Sequence, residues 1–208
     1  MRIAIINETS AADKNADIMA ALEGRGHRLI NAGMHNTGEK PELTYIHTGL
    51  LTALFLNLGA ADFVVGGCGT GQGYLNAAVQ YPGVFCGHIL TPLDAWLFTQ
   101  INGGNCISLM LNQGYGWASN INLKMIFDAL FSVTAGKGYP PHRQASQRDS
   151  RQTLVQISQA AHQNMATILT KLPDEGLRPA LTYPGLYDHL QFEALPLTPL
   201  KQALEKWR

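Results

Sequence analysis

Short apolar runs alternate with amphipathic stretches along the first half of the chain, and their periods separate strands from helices. Arg2–Ile6 is continuous and β-branched rather than alternating, which predicts a strand buried on both faces. Ser10 is placed to cap a helix reaching about Gly24, with Ile18, Met19 and Leu22 on one face. His27–Asn31 reads as a second strand, followed by a loop rich in Gly, Asn and Pro from about Gly33 to Pro41. Leu43–Asn57 is a strongly apolar helix stopped at Leu58-Gly59. Phe63–Gly66, Gly83–Ile89 and Cys106–Leu109 read as strands three, four and five. Helices follow each of them, through Ala77-Ala78, over Pro92–Gln100 and over Ala118–Phe131.

Strand alternating with helix predicts a parallel sheet covered on both faces. With right-handed crossovers this is an α/β fold, a three-layer Rossmann-like domain with a five-stranded parallel sheet over residues 1–136. Ligands of such sheets sit beyond the carboxyl ends of the strands. That singles out Asn7-Glu8-Thr9, Gly67–Gly73, His88–Thr91 and the turn after Leu109. The pattern changes over 137–208. Gly138-Tyr139-Pro140-Pro141-His142-Arg143 reads as a rigid loop, because proline fixes φ and removes a donor. Ser150–Leu172 reads as one long helix with Leu154, Ile157, Ala161, Met165 and Ile168 in a packing stripe suited to a dimer interface. The remainder, rich in Pro and Leu without periodicity, reads as an irregular tail packed on the domain or on a partner subunit.

Composition narrows the function classes. Hydrophobic residues make up 46% and charged residues 14%, against about 25% charged in typical soluble domains. That predicts more buried surface than a monomer needs, hence a homodimer or higher homo-oligomer. The formal net charge is zero, so no basic excess exists to meet a nucleic-acid backbone. No apolar run approaches the roughly 20 residues of a membrane span. Met1-Arg2-Ile3-Ala4-Ile5-Ile6 turns polar at Asn7 without the features of a signal peptide, so the chain reads as cytoplasmic. The three cysteines, Cys68, Cys86 and Cys106, form no Cys-x-x-Cys pair, and no His-x-x-x-His occurs. Neither a disulfide framework nor a zinc site is supported.

Candidate chemistry concentrates at Gly66-Gly67-Cys68-Gly69-Thr70-Gly71-Gln72-Gly73, between strand three and its helix. Glycines admit positive φ and close backbone approach. A helix start offers unpaired N–H groups and a partial positive charge, which favour an anion and a thiolate. The same run also serves tight packing of a helix on its strand. Its spacing is not that of a dinucleotide fold, and without Gly-Lys-Ser/Thr it is not a P-loop. Cys86 and Cys106 lie inside apolar strands and read as inert core.

Cys68-Gly69-Thr70-Gly71-x-Gly73 followed by Ala77-Ala78 resembles the sugar-phosphate isomerases that include type B ribose-phosphate isomerase and the galactose-phosphate isomerase subunits. Arg25-Gly26-His27 before strand two, Tyr45-x-His47 opening the second helix and Asn102-x-x-Asn105 before strand five add to the likeness, which spans residues 1 to about 150. The resemblance implies aldose–ketose isomerisation through an enediol(ate), without metal or cofactor, in a homodimer whose sites are shared. It implies Cys68 as the base, with Thr70 and the backbone N–H groups of Gly69 to Gly73, the glycines Gly69, Gly71 and Gly73 among them, stabilising the negative oxygen. Tyr45 then flanks the substrate, and Asn102 contacts a sugar hydroxyl from the other subunit.

The departures bear on substrate. The usual Asp-His after strand one is Glu8-Thr9, and Val79-Gln80 replaces an Asn-Lys. The ring-opening histidine falls at Ile101, and a phosphate-binding arginine at Asn112. Glu8 reads either as a solvated loop carboxylate or as an acceptor for sugar hydroxyls. Tyr45 reads as packing or as a substrate contact, His47 as helix surface or cap, and His88 as a strand-end residue or a replacement ring-opening acid. His142 and Arg143 form a polar loop or bind an anion from the partner. Three functions follow: an isomerase of a sugar phosphate, an isomerase or epimerase of a non-phosphorylated or acidic sugar, or a sugar-binding protein without turnover.

Overall fold

The computed structural model describes residues 1–208. Five parallel strands, β1 (Arg2–Asn7), β2 (Arg28–Asn31), β3 (Phe63–Cys68), β4 (Cys86–Ile89) and β5 (Cys106–Met110), form one sheet in the order β2-β1-β3-β5-β4. The expected three-layer architecture is present. Alternate residues of the strands face opposite layers. Ala4, Ile6, Val64 and Cys106 point to α2 (Tyr45–Asn57) and α3 (Gln72–Ala78). Ile3, Ile5, Val65 and Ile107 point to α1 (Asn15–Leu22), α4 (Pro92–Leu97) and α5 (Ser119–Phe131). The chain passes from β1 to β2 on one side and returns to β3 on the other. The crevice beyond the ends of β1 and β3 is therefore the switch point of the sheet.

Three local expectations are corrected. Ser10 does not cap a regular helix. The segment opens as a 3-10 turn over Thr9–Lys14 whose cap is Glu8, accepting the Ser10 N–H at 3.1 Å. The stripe after Ser150 does not lie on one helix. It divides into α6 (Gln144–Ala161) and α7 (Met165–Lys171), because His162 turns extended and Asn164 caps the second helix through the Thr167 N–H at 2.9 Å. Leu154 and Ile157 are 48% and 55% exposed, whereas Met165 is 3%.

The tail, finally, is helical rather than irregular. It contains α8 (Asp174–Leu181), α9 (Leu186–His189) and α10 (Pro199–Glu205). Met165, Leu169, Leu177, Leu181, Leu186, Leu190 and Leu204 join the same core cluster as Leu50, Leu51 and Leu54 of α2. Full burial of a leucine is worth about 1.5–3 kcal/mol over exposure, so these side chains tie the segment to the α2 layer of the same chain. Most of α6, by contrast, lies open, with Ser158 its one buried residue. No helix is long and apolar enough to cross a membrane.

Candidate active site

β3 extends to Cys68, so the cysteine closes the strand, three residues before Gly71 caps α3. Cys68 shares the face of Val64, and it is buried among the residues facing α2 and α3. Every carbonyl of the following turn is taken. Cys68 O accepts the N–H groups of Gly71 at 3.2 Å and Leu111 at 3.1 Å. Gly69 O accepts those of Asn112 at 3.0 Å and Gln113 at 2.9 Å. Thr70 O accepts from His88 Nε2 at 3.1 Å, which places the proton on that nitrogen. Gly71 O accepts from Leu75 N–H at 3.1 Å and from the fully buried Ser108 hydroxyl.

The N–H groups divide differently. Gly69 donates to Ser10 Oγ at 2.9 Å, Gly71 to Cys68 O, and Gln72 to Thr70 Oγ1 at 3.3 Å. Those of Thr70, Gly73 and Tyr74 have no partner in the chain. The expectation that the N–H groups of Gly69 and Gly71 are free is thereby corrected. Carbonyls turned toward the protein and N–H groups left unpaired make the turn favourable to negative charge. Gly71 holds φ at +75°, a value L side chains rarely adopt.

Side chains from three elements surround this turn. The Tyr45 ring lies so close that a Cβ on Gly73 would come within 3.0 Å of it. Thr44 caps α2, and His47 Nδ1 accepts the Thr44 N–H at 3.0 Å. His47 Nε2 then donates to Glu175 O at 2.9 Å, tying the start of α2 to α8. His47 is thus a cap and a tether. Glu8 is 4% exposed and accepts both the N–H and the hydroxyl of Ser10. It is no solvated carboxylate: burial raises its pKa, against the two Ser10 bonds, which lower it. Asn112 Nδ2 donates to Ser10 O at 2.6 Å, so Glu8, Ser10 and Asn112 meet beside Gly69. Asn7, next to Glu8, is fully buried with both amide atoms unpaired.

Sequence reasoning missed Ser10, Ser108 and Asn112 as parts of this assembly. Ser10 was read only as a cap, and nothing in a serine within strand five signals a bond to a glycine carbonyl. His88 lies beneath the turn with Nε2 engaged by Thr70 O, not held free as an acid.

Asn102, His142 and Arg143 are not brought to Cys68. Asn102 lies in the segment before β5, whereas Cys68 pairs with Met110 at the far end of that strand. Four residue steps of β5 alone span roughly 13 Å. His142 and Arg143 are exposed on a 3-10 turn leading into α6. α6 in turn packs over the Asn102 segment through Arg151 Nη1, 2.8 Å from Ile101 O.

The other two thiols behave as core. Cys106 is fully buried and pairs in register with Cys86. A hydrogen bond with Cys106, then burial, pushes the Cys86 thiol well above the ordinary range, which disfavours thiolate.

The Ribose/Galactose Isomerase family matches residues 3–139. Two solved structures align over the whole chain. One is a 4-deoxy-L-threo-5-hexosulose-uronate ketol-isomerase complexed with a tartrate, at 36% identity and TM-score 0.93, covering 100% of this chain and 99% of that one. The other, with the same identity, score and coverage, is a ribose-5-phosphate isomerase from Vibrio parahaemolyticus. A ribose 5-phosphate isomerase from Thermotoga maritima, 24% identical with TM-score 0.56, covers 71% of this chain and 97% of its own, and shares the fold. No curated protein matches the chain.

Proposed function

Because the chain belongs to the ribose/galactose isomerase family, we propose that it interconverts the aldose and ketose of a sugar phosphate through an enediolate, with Cys68 as the base. The observation carrying this is the glycine turn beside Cys68: its carbonyls are all engaged and three N–H groups are unpaired. In aldose–ketose isomerisation a proton leaves C2 of the aldose, negative charge gathers on the C1 carbonyl oxygen, the hydroxyl proton passes from O2 to O1 as the C2 carbonyl forms, and the first proton returns to C1. A thiolate at Cys68 takes and returns that proton. The N–H groups of Thr70, Gly73 and Tyr74 stabilise the oxygen where the charge develops. Tyr45 borders the sugar, and Ser10, held by Glu8, fixes Gly69.

The remaining contacts come from a second copy. Asn102 stands at the far end of β5 from its own Cys68, His142 and Arg143 make no hydrogen bond to the glycine turn, and α6 beside them exposes Leu154, Val155 and Ile157. A homodimer formed through this arm covers those side chains and carries Asn102 and Arg143 to the partner's glycine turn. Arg143 then supplies the cation for the anionic end of the substrate, which Asn112 cannot provide.

A second reading, an acidic sugar in place of a phosphate, is favoured by two positions. Asn112 stands where a phosphate-binding arginine was expected, and Ile101 cannot transfer a proton. A substrate already in its open-chain form needs no ring-opening acid. The full-length likeness to a hexosulose-uronate ketol-isomerase supports the same reading.

The test is exchange of solvent deuterium into C2, followed by NMR, for a panel of aldose phosphates, hexuronates and free sugars. One anionic class should exchange and isomerise, and Cys68→Ala should lose about 10²–10⁴-fold in rate, the usual worth of a positioned base. Full activity in Cys68→Ala removes the cysteine from the reaction. Turnover of uronates but not phosphates selects the second reading.

A further inference from the structure

We infer that His88 is a positioning residue of this site: by holding the Thr70 carbonyl toward the sheet, it aims the unpaired N–H groups of the glycine turn at the substrate oxygen. The inference rests on the enediolate reading above.

The argument starts from peptide planarity, which points the carbonyl of one residue and the N–H of the next in opposite directions. Three peptides connect the Thr70 N–H to α3. Gly69 O is drawn to the backbone of Asn112 and Gln113 in the loop after β5, so the Thr70 N–H faces away from that loop. Thr70 O is drawn to His88 Nε2, and Gly71 O to Ser108. Thr70 N–H lies on one side of Gly71 and the N–H groups of Gly73 and Tyr74 on the other. Their relative aim depends on the dihedrals of Thr70 and Gly71, which these last two bonds restrain.

Of the two anchors, Ser108 is fully buried in a central strand. His88 projects from the edge strand β4 and reaches the turn at its most yielding point. Gly71 lacks a side chain to brace it, and a Cβ there would stand 2.6 Å from His88 Nε2. The imidazole thus occupies the space beneath the glycine as well as bonding its neighbour. It touches no reacting atom. Its effect is on geometry, and small errors in donor direction are costly where charge develops.

The experiment compares His88→Leu, His88→Asn and His88→Gln with the parent. Binding of a four-carbon sugar hydroxamate, a planar anionic mimic of the enediolate, is measured by calorimetry beside that of the corresponding sugar alcohol. Leucine removes the donor, asparagine is too short to reach Thr70 O, and the glutamine amide N–H stands near the Nε2 position. Leucine and asparagine should weaken the hydroxamate roughly 10- to 100-fold, less than the roughly 10²–10³ for deleting an oxyanion donor. The sugar alcohol should change by no more than about twofold, since it carries no developing charge. Glutamine should restore hydroxamate affinity, and kcat should follow it with KM unchanged.

Equal losses for both ligands, no loss in a folded His88→Leu or His88→Asn, or failure of glutamine to restore binding overturns the assignment. A parent that binds hydroxamate but turns over no sugar refutes the isomerase reading alone, and the His88 comparison still decides. A parent that binds neither ligand overturns both.

Discussion

Tyr74→Phe separates what the glycine turn needs for stability from what it needs for chemistry. Tyr74 is fully buried in the first turn of α3, with its hydroxyl 2.5 Å from Thr52 Oγ1 and 3.4 Å from Cys106 Sγ. Thr52 already spends its proton on Thr48 O at 2.8 Å. Tyr74 must therefore donate to Thr52, and the Cys106 thiol donates to Tyr74. The chain of donors runs from thiol to phenol to hydroxyl to carbonyl. Phenylalanine removes the bond to Thr52 and the weak one from Cys106, whose thiol keeps Ile107 O as an acceptor, and Thr52 still donates to Thr48 O, while the ring continues to fill the space over Gly66. A net loss of about 1–1.5 kcal/mol follows, or roughly 2–6 °C in Tm for a chain of this size. The contribution of Tyr74 to the anion site is its backbone N–H, so kcat/KM should stay within about threefold of the parent. Differential scanning calorimetry and deuterium exchange at C2 read the two quantities. A loss above about 3 kcal/mol, typical of a vacated core position, would mean that the ring itself is displaced. A collapse of activity without loss of stability would mean that the phenol belongs to the reaction.

Two further predictions test the surroundings of the turn. Burial raises the Glu8 pKa, so its carboxyl favours the fold most when protonated, and that contribution is lost as pH rises through the ordinary glutamate range to the raised value. Glu8→Gln never ionises, so its Tm should gain on the parent's as pH rises above about 4; parallel curves would show that the carboxyl is not held in this environment. Leu154→Glu with Ile157→Glu, both on the exposed face of α6, should change monomer stability by no more than about 0.5 kcal/mol but yield monomers in sedimentation and abolish exchange. Retained dimers would place the interface elsewhere.

The strands were legible because a sheet covered on both faces needs continuous apolar runs, and Ile3–Ile6 and Phe63–Val65 supply them. The end of β3 was less so, because Gly66 and Gly67 carry no side chain to mark a pleat, and ladder bonds to Ser108 and Leu109 carry the strand on to Cys68. The tail failed for a different reason. Its helices have four to eight residues, too short to show a 3.6-residue period. They are set by burial of Leu177, Leu181 and Leu204 against the α2 layer, a tertiary effect. His162–Asn164 illustrates the reverse error: the apolar stripe continues through a break made by a capping asparagine.

The site was legible in one direction only. A glycine run after a strand announces that backbone N–H groups are available, but whether they converge depends on where the carbonyls go. Those partners lie 18 residues away at His88 and 37 away at Ser108, on strands whose pairing no local pattern specifies. Nor does a pattern show that Asn102, which the family likeness assigns to the same reaction as Cys68, stands at the opposite end of β5. The fold turns that separation into an argument about assembly. On the proposed reading, the anion site at the carboxyl end of β3 is completed by Arg143 of a second copy, brought there by the uncovered apolar arm α6. On that reading dimerisation would build the site as well as cover α6, and the Leu154→Glu, Ile157→Glu protein should regain exchange when mixed with a Cys68→Ala chain only if the interface re-forms. A mixed dimer that forms in sedimentation but shows no exchange would refute a site completed across the interface.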